Sequence, residues 1–122
     1  MSFYREKILD HYRNPRNAGI LSGADCSARE DNPLCGDSVA VFVKVRDNVI
    51  QAISFESEGC AISIAASSML SEKVKGMNAS AVCALGEKDI TELIGIPLTI
   101  SRVKCGTLGL SALQSALTKY GA

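Results

Sequence analysis

The residues in this chain that could do chemistry are three cysteines and one aspartate. Cys35 lies in Asn32-Pro33-Leu34-Cys35-Gly36-Asp37, Cys60 opens one predicted helix, and Cys105 falls at or just before the start of another. Backbone amides at a helix N-terminus stabilise a thiolate, so Cys60 and Cys105 stand where metal binding or sulfur chemistry is favoured. In Cys35-Gly36-Asp37 a glycine between thiol and carboxylate permits a tight turn that aims both at one ion. Three thiolates and a carboxylate complete a tetrahedral zinc shell, and the same set could hold an iron-sulfur cluster.

The set is mixed in a useful way. An oxygen ligand suits soft iron and sulfide less well than a fourth thiolate would, so Asp37 is the ligand expected to open when the bound species is passed on. With zinc, four anionic ligands leave a formal charge of about −2, and Arg102 and Lys104 beside Cys105 are the expected counter-charges, equally readable as solvated side chains. Spacing alone leaves the matter open. The cysteines are 25 and 45 residues apart and match no local zinc-finger pattern. A closed zinc knot that only holds the fold is the plainest alternative, although a chain this apolar hardly needs one.

The other tempting residues read as structural. Cys83, in Ala81-Val82-Cys83-Ala84-Leu85, is expected to be a small buried hydrophobe, and Cys26 is also read as structural. His11, the only histidine, sits in the last turn of a predicted helix, where a surface or dipole-related role is expected.

The elements that must position the site follow from periodicity and breakers. Phe3 to Tyr12 predicts a short helix with Ser2 as N-cap, ended by Asn14-Pro15, and residues 14 to 23 read as loop. Ala24 to Glu30 is at best an edge strand. Val39 to Val45 and Val49 to Phe55, joined by Arg46-Asp47-Asn48, predict an antiparallel hairpin. Cys60 to Lys75 reads as a helix stopped at Gly76, and Asn78 to Leu85 and Asp89 to Leu93 as two short helical pieces. Pro97 closes that region, Leu98 to Lys104 reads as a connection, and Leu110, Leu113, Leu117 and Tyr120 mark a final amphipathic helix.

Composition narrows the class. The 122 residues suit one domain, and 47% hydrophobic content suits a packed core. The 13 basic and 13 acidic side chains are scattered, so no nucleic-acid footprint and no membrane-surface patch is expected. No stretch approaches the roughly 20 apolar residues of a membrane span, and no export signal is evident, so a cytoplasmic location is expected. There, five cysteines are better read as ligands or reactive thiols than as disulfides.

Tyr4-Arg5-Glu6-Lys7-Ile8-Leu9-Asp10-His11-Tyr12-Arg13-Asn14-Pro15-Arg16-Asn17 resembles the opening helix and turn of IscU-type scaffold proteins. Cys35-Gly36-Asp37 resembles that family's first metal-binding motif, Glu58-Gly59-Cys60-Ala61-Ile62-Ser63 its second, and Lys104-Cys105 falls where the third is expected. By these motifs the chain is identified as a member of the IscU/NifU N-terminal/SufU family of iron-sulfur cluster assembly proteins, the similarity running over nearly its whole length.

The resemblance implies a single domain over residues 1–122 with an α+β, SufE/NifU-like fold: a small three-stranded antiparallel sheet with helices packed on it, and Cys35, Asp37, Cys60 and Cys105 meeting at an exposed end. It implies sulfur delivery by a pyridoxal-phosphate cysteine desulfurase to a site cysteine, with Cys105 and then Cys35 as the expected persulfide acceptors. It implies zinc or iron, a transient cluster of the 2Fe-2S type, apo iron-sulfur proteins as recipients, and a monomer or a transient homodimer. Two branches are mixed here. Lys104 stands where IscU scaffolds have histidine, and Leu98-Thr99-Ile100-Ser101-Arg102 replaces their chaperone-recruiting segment, so chaperone docking is not carried over. Arg102-Val103-Lys104-Cys105 resembles SufU, a zinc protein that accepts sulfur, which makes a zinc-dependent sulfurtransferase the alternative function. Yet residues 76 to 101 leave no room for the insertion that SufU carries between its second and third cysteines.

Overall fold

The computed structural model describes residues 2–33, 36–96 and 98–121, with the side chains of residues 2–4, 100 and 101 outside the description. Cys35, the side chains of Ser2 and Tyr4, and Pro97 therefore lie outside the described residues.

In chain order the elements are α1 (Ser2–Arg13), β1 (Cys26–Asn32), β2 (Asp37–Arg46), β3 (Val49–Glu58), α2 (Ala61–Val74), α3 (Ala79–Cys83), α4 (Glu87–Ile94) and α5 (Ile100–Tyr120). The sheet has the order β1-β2-β3 and is antiparallel throughout, as expected. Residues 24 to 30 do supply the edge strand, shifted by two positions. Alternation along β2 explains which face is covered. Val39, Val41, Val43 and Val45 are buried, while Ser38, Ala40, Phe42 and Lys44 point the other way. On the valine face, α5 packs against β1 and β2, and α2 against β3.

The hairpin turn is tighter than the three-residue connection expected. Asp47 and Asn48 alone span it, both at positive φ (52° and 64°), the pattern whose twist matches that of the flanking strands. The remaining edge of β3 is occupied at both ends. Phe55 exchanges backbone hydrogen bonds with Asn17 and Gly19, and Ile50 does so with Gly76 and Met77.

Helix α2 shows no single apolar stripe because it is enclosed by α1, α4, α5 and β3. Close approach is possible because Ala65, Ala66, Ser67, Ser68 and Ser71 are small, and all are buried. Against α5 the fit is tight: a Cβ on Gly109 would stand 2.6 Å from the Ser67 hydroxyl.

Three expectations are corrected here. The segment 98–104 is not a connection. Thr99 caps α5, its hydroxyl accepting the Arg102 amide at 3.4 Å, so the helix begins five residues before Cys105. Its apolar stripe also ends earlier than expected, at Leu117, since Tyr120 is 47% exposed. His11 is not a surface residue. It is buried between α1 and α2, its Nδ1 2.7 Å from Ser68 Oγ and its Nε2 3.7 Å from a Glu72 carboxylate oxygen. Ser68 Oγ also accepts the Arg16 amide at 2.9 Å, which ties the turn after α1 to the same hydroxyl. Burial, with Arg16 nearby, pushes the His11 pKa below its ordinary value.

No helix among the described residues is long and apolar enough to cross a membrane.

Candidate metal centre

Asp37 is the first residue of β2 and pairs with Asn32, the last residue of β1. Gly36, at φ +73°, makes the return possible, and its amide bonds to the Asn32 carbonyl at 2.8 Å. The return leaves Asp37 on the inward face, only 2% exposed.

Across the sheet the chain leaves β3 through Glu58 and Gly59 and enters α2. Gly59 sits at φ +141°, and a Cβ there would overlap the Asp37 carboxylate. The carboxylate therefore lies flat on a surface that only glycine provides. From there Asp37 Oδ1 accepts the amide of Cys60 at 3.0 Å, and Oδ2 stands 3.9 Å from the Cys60 sulfur. Cys60 is the N-cap residue of α2 in extended conformation (φ −74°, ψ 164°), and its sulfur makes no capping bond. Asp37 supplies the capping acceptor instead, leaving the thiol free to point at a ligand.

Cys105 enters from α5 and is 2% exposed. Because α5 starts at Ile100, Cys105 is in its second turn, and the helix-terminus argument that holds for Cys60 does not hold for it. What places Cys105 is the packing of α5 against α2. Ligand atoms of Asp37, Cys60 and Cys105 all lie within 4.8 Å of one another. A tetrahedral zinc ion with sulfur bonds of about 2.3 Å holds its ligand atoms roughly 3.5 Å apart, so about 1 Å of convergence makes this a metal shell. Two soft thiolates and one hard carboxylate fit zinc or ferrous iron.

A cavity of about 400 Å³ opens beside Cys60, lined by Ala61, Ile62, Ile96, Leu98, Thr99 and Arg102. Of the two expected counter-charges, Arg102 lines this cavity and Lys104 does not, although both are exposed. Arg102 precedes Cys105 by three residues on α5 and shares its face; Lys104, one residue away, does not. Cys26 and Cys83 are partly buried and packed against the core, as expected. Burial, with Asp25 adding to it, raises the Cys26 pKa and keeps that thiol protonated.

Sequence reasoning passed over Gly59 as the seat of the Asp37 carboxylate. Its signal was present as the glycine directly before Cys60. The apolar mouth formed by Ile62, Ile96 and Leu98 had no sequence signal, since it joins α2 to the segment before α5.

With this geometry established, comparison with known proteins is direct. The chain matches the family described as NifU-like N terminal domain over residues 3–122. It is 42% identical over 123 positions to the "Iron-sulfur cluster assembly scaffold protein IscU" of Aquifex aeolicus, covering 98% of this chain and 78% of that one. It is 31% identical over 135 positions to the "Zinc-dependent sulfurtransferase SufU" of Bacillus subtilis, covering 97% and 91%. Those 135 positions exceed the 122 residues of this chain, so that relative carries residues this chain lacks. In fold, the chain superposes on the N-terminal part of a nitrogen-fixing NifU-like protein from Brucella abortus with a TM-score of 0.79, covering 96% and 93% of the two chains at 24% identity. The chain belongs to the NifU-like N-terminal domain family.

Proposed function

We propose that this protein is a scaffold on which iron and sulfide are combined into a cluster that is then passed to apo iron-sulfur proteins in the cytoplasm. The observation that carries this reading is the convergence of the Asp37, Cys60 and Cys105 ligand atoms within 4.8 Å, in a chain similar to IscU scaffolds over almost its whole length. Cys35, two residues before Asp37 in the sequence, is the proposed fourth ligand. Asp37 is the proposed labile one.

Sulfur is supplied by a cysteine desulfurase. A thiolate of this chain attacks the outer sulfur of the donor's persulfide, and the donor thiolate leaves; two electrons from an external reductant, of the thiol or electron-transfer-protein class, then release that outer sulfur as sulfide and restore the thiolate. Cys105 is the proposed first acceptor, Cys35 the alternative, with Arg102 balancing the negative charge that arrives. Asp37, Cys60 and Cys105 hold the cargo while Ile62, Ile96 and Leu98 cover one side of Cys60 with apolar surface.

A second reading is favoured by one observation. Lys104 and Arg102 lead into Cys105 as in SufU, and the Bacillus subtilis relative is a zinc-dependent sulfurtransferase. In that case zinc remains bound and the protein hands on sulfur rather than a cluster.

Anaerobic reconstitution with ferrous iron, cysteine and a cysteine desulfurase separates the two. Absorption and Mössbauer spectra of a bound cluster, with transfer to an apo-ferredoxin, are the expected result. Retained zinc, no cluster, and faster desulfurase turnover would replace the scaffold with the sulfurtransferase.

A further inference from the structure

Among the described residues, four buried serine hydroxyls have no hydrogen-bond partner: Ser54, Ser57, Ser63 and Ser67. Buried hydroxyls are ordinarily paired, so each calls for a reason. The position of Ser63 supplies one. It follows Cys60 by three residues, on the same face of α2, and is 1% exposed.

That face is the one turned to α5, as two contacts show. At its start the sulfurs of Cys60 and Cys105 lie within 4.8 Å of each other, and at its far end a Cβ on Gly109 would stand 2.6 Å from the Ser67 hydroxyl. Ser63 precedes Ser67 by one helical turn, and Cys105 precedes Gly109 by one turn on α5. Ser63 therefore sits in the seam between the two contacts, on the interior side of the thiol pair. The hydroxyl makes no bond back to its own helix either, although serine within a helix commonly does so. Asp37 and the Cys60 amide occupy the opposite, sheet side of the site.

We propose that Ser63 is a positioning residue of the sulfur site: its hydroxyl donates a hydrogen bond to a ligating thiolate once Cys60 and Cys105 are deprotonated and drawn onto a metal. A neutral thiol is a weak acceptor, whereas a thiolate carries a full charge and accepts strongly, so a buried hydroxyl without a partner is of most use beside a ligating thiolate. The bond lowers the energy of the sulfur lone pair, holds the sulfur in the seam, and compensates the negative charge from the interior side. Arg102 does so from the solvent side. Outer-shell donors of this kind orient metal ligands and tune the bound species. The inference rests on the metal-site reading above but concerns a residue outside its ligand set.

The test is titration of the protein and of Ser63→Ala, Ser63→Thr and Ser67→Ala with cobalt(II) and zinc(II). The cobalt–thiolate charge-transfer band reports the energy of the sulfur lone pair. In Ser63→Ala that band is expected to move to lower energy and metal affinity to fall about tenfold or more. Ser63→Thr, which keeps the hydroxyl, restores the band, and Ser67→Ala, which removes an equally orphaned hydroxyl one turn away, leaves it in place. A Ser63→Ala spectrum superimposable on the unsubstituted protein's overturns the proposal. So does an equal displacement in Ser67→Ala, which would be a packing effect, or a Ser63→Thr band that stays with that of Ser63→Ala. Absence of any thiolate band in the unsubstituted protein would instead remove the metal-site reading, and Ser63's role with it.

Discussion

The carboxylate of Asp37 accepts the backbone amide of Cys60 at 3.0 Å with one oxygen while its other oxygen stands 3.9 Å from the Cys60 sulfur. One side chain thus joins the start of β2 to the start of α2 and also brings an oxygen within 4.8 Å of the Cys60 and Cys105 sulfurs.

If Asp37 is the ligand that opens, Asp37→Ala slows cluster transfer to an apo-ferredoxin. The kinetics of transfer from the reconstituted variant check this, and an unchanged rate removes the labile role. The same variant loses the cap on the Cys60 amide, so a stability loss of about 1 kcal/mol is expected in urea unfolding.

Gly59→Ala tests the seat beneath that carboxylate. At φ +141° any side chain is strained, and here its Cβ would also collide with Asp37. A loss of about 1–3 kcal/mol in denaturant unfolding is expected, together with weaker zinc binding in a chelator competition. Alanine at Gly36, where a Cβ meets nothing within 4 Å, should cost only the strain of positive φ.

Metal content discriminates among the cysteines. Cys60→Ala and Cys105→Ala should abolish stoichiometric zinc, measured by elemental analysis, whereas Cys26→Ala and Cys83→Ala should leave it intact because both side chains pack against the core. Loss of metal in either of the latter would mean that the ligand set is misassigned.

Charge at the mouth separates Arg102 from Lys104. Arg102→Ala should slow persulfide uptake from a desulfurase, followed by mass spectrometry of the intact chain. Lys104→Ala should have a smaller effect, since Lys104 does not line the cavity beside Cys60. Equal effects would return both residues to the status of solvated charges.

Stability should depend on pH through His11. Its pKa in the folded protein lies below the ordinary 6.5, so the unfolded chain binds more protons between the two values. The stabilisation is fully present above 6.5 and is lost as pH falls below it toward the folded value. Urea midpoints measured from neutral to mildly acidic pH should fall accordingly. In His11→Gln the dependence should flatten, because the Ser68 contact is then made by a group that does not titrate.

Much of this protein is decided by local sequence. The valine alternation of β2, the hairpin that joins it to β3, and the turn glycine at 36 are short-range instructions, legible because backbone geometry and burial period act over a few residues. The identity of Asp37, Cys60 and Cys105 as a set was legible too, through motifs that stand in the family's order. Their meeting was not. Cys105 was expected at a helix start and lies in a second turn, because the Thr99 cap was overlooked in a segment with no glycine or proline after Pro97 to mark it. His11 was expected at the surface or in a helix-dipole role, since nothing in the first helix announces that Ser68, 57 residues away, stands against its ring. The close fit of Ser67 against Gly109 exists only because α2 and α5 meet along small side chains. Contacts of that kind depend on how two surfaces fit at a distance of a few ångströms, and that fit is set by all the residues on both faces together, so only the tertiary structure decides them.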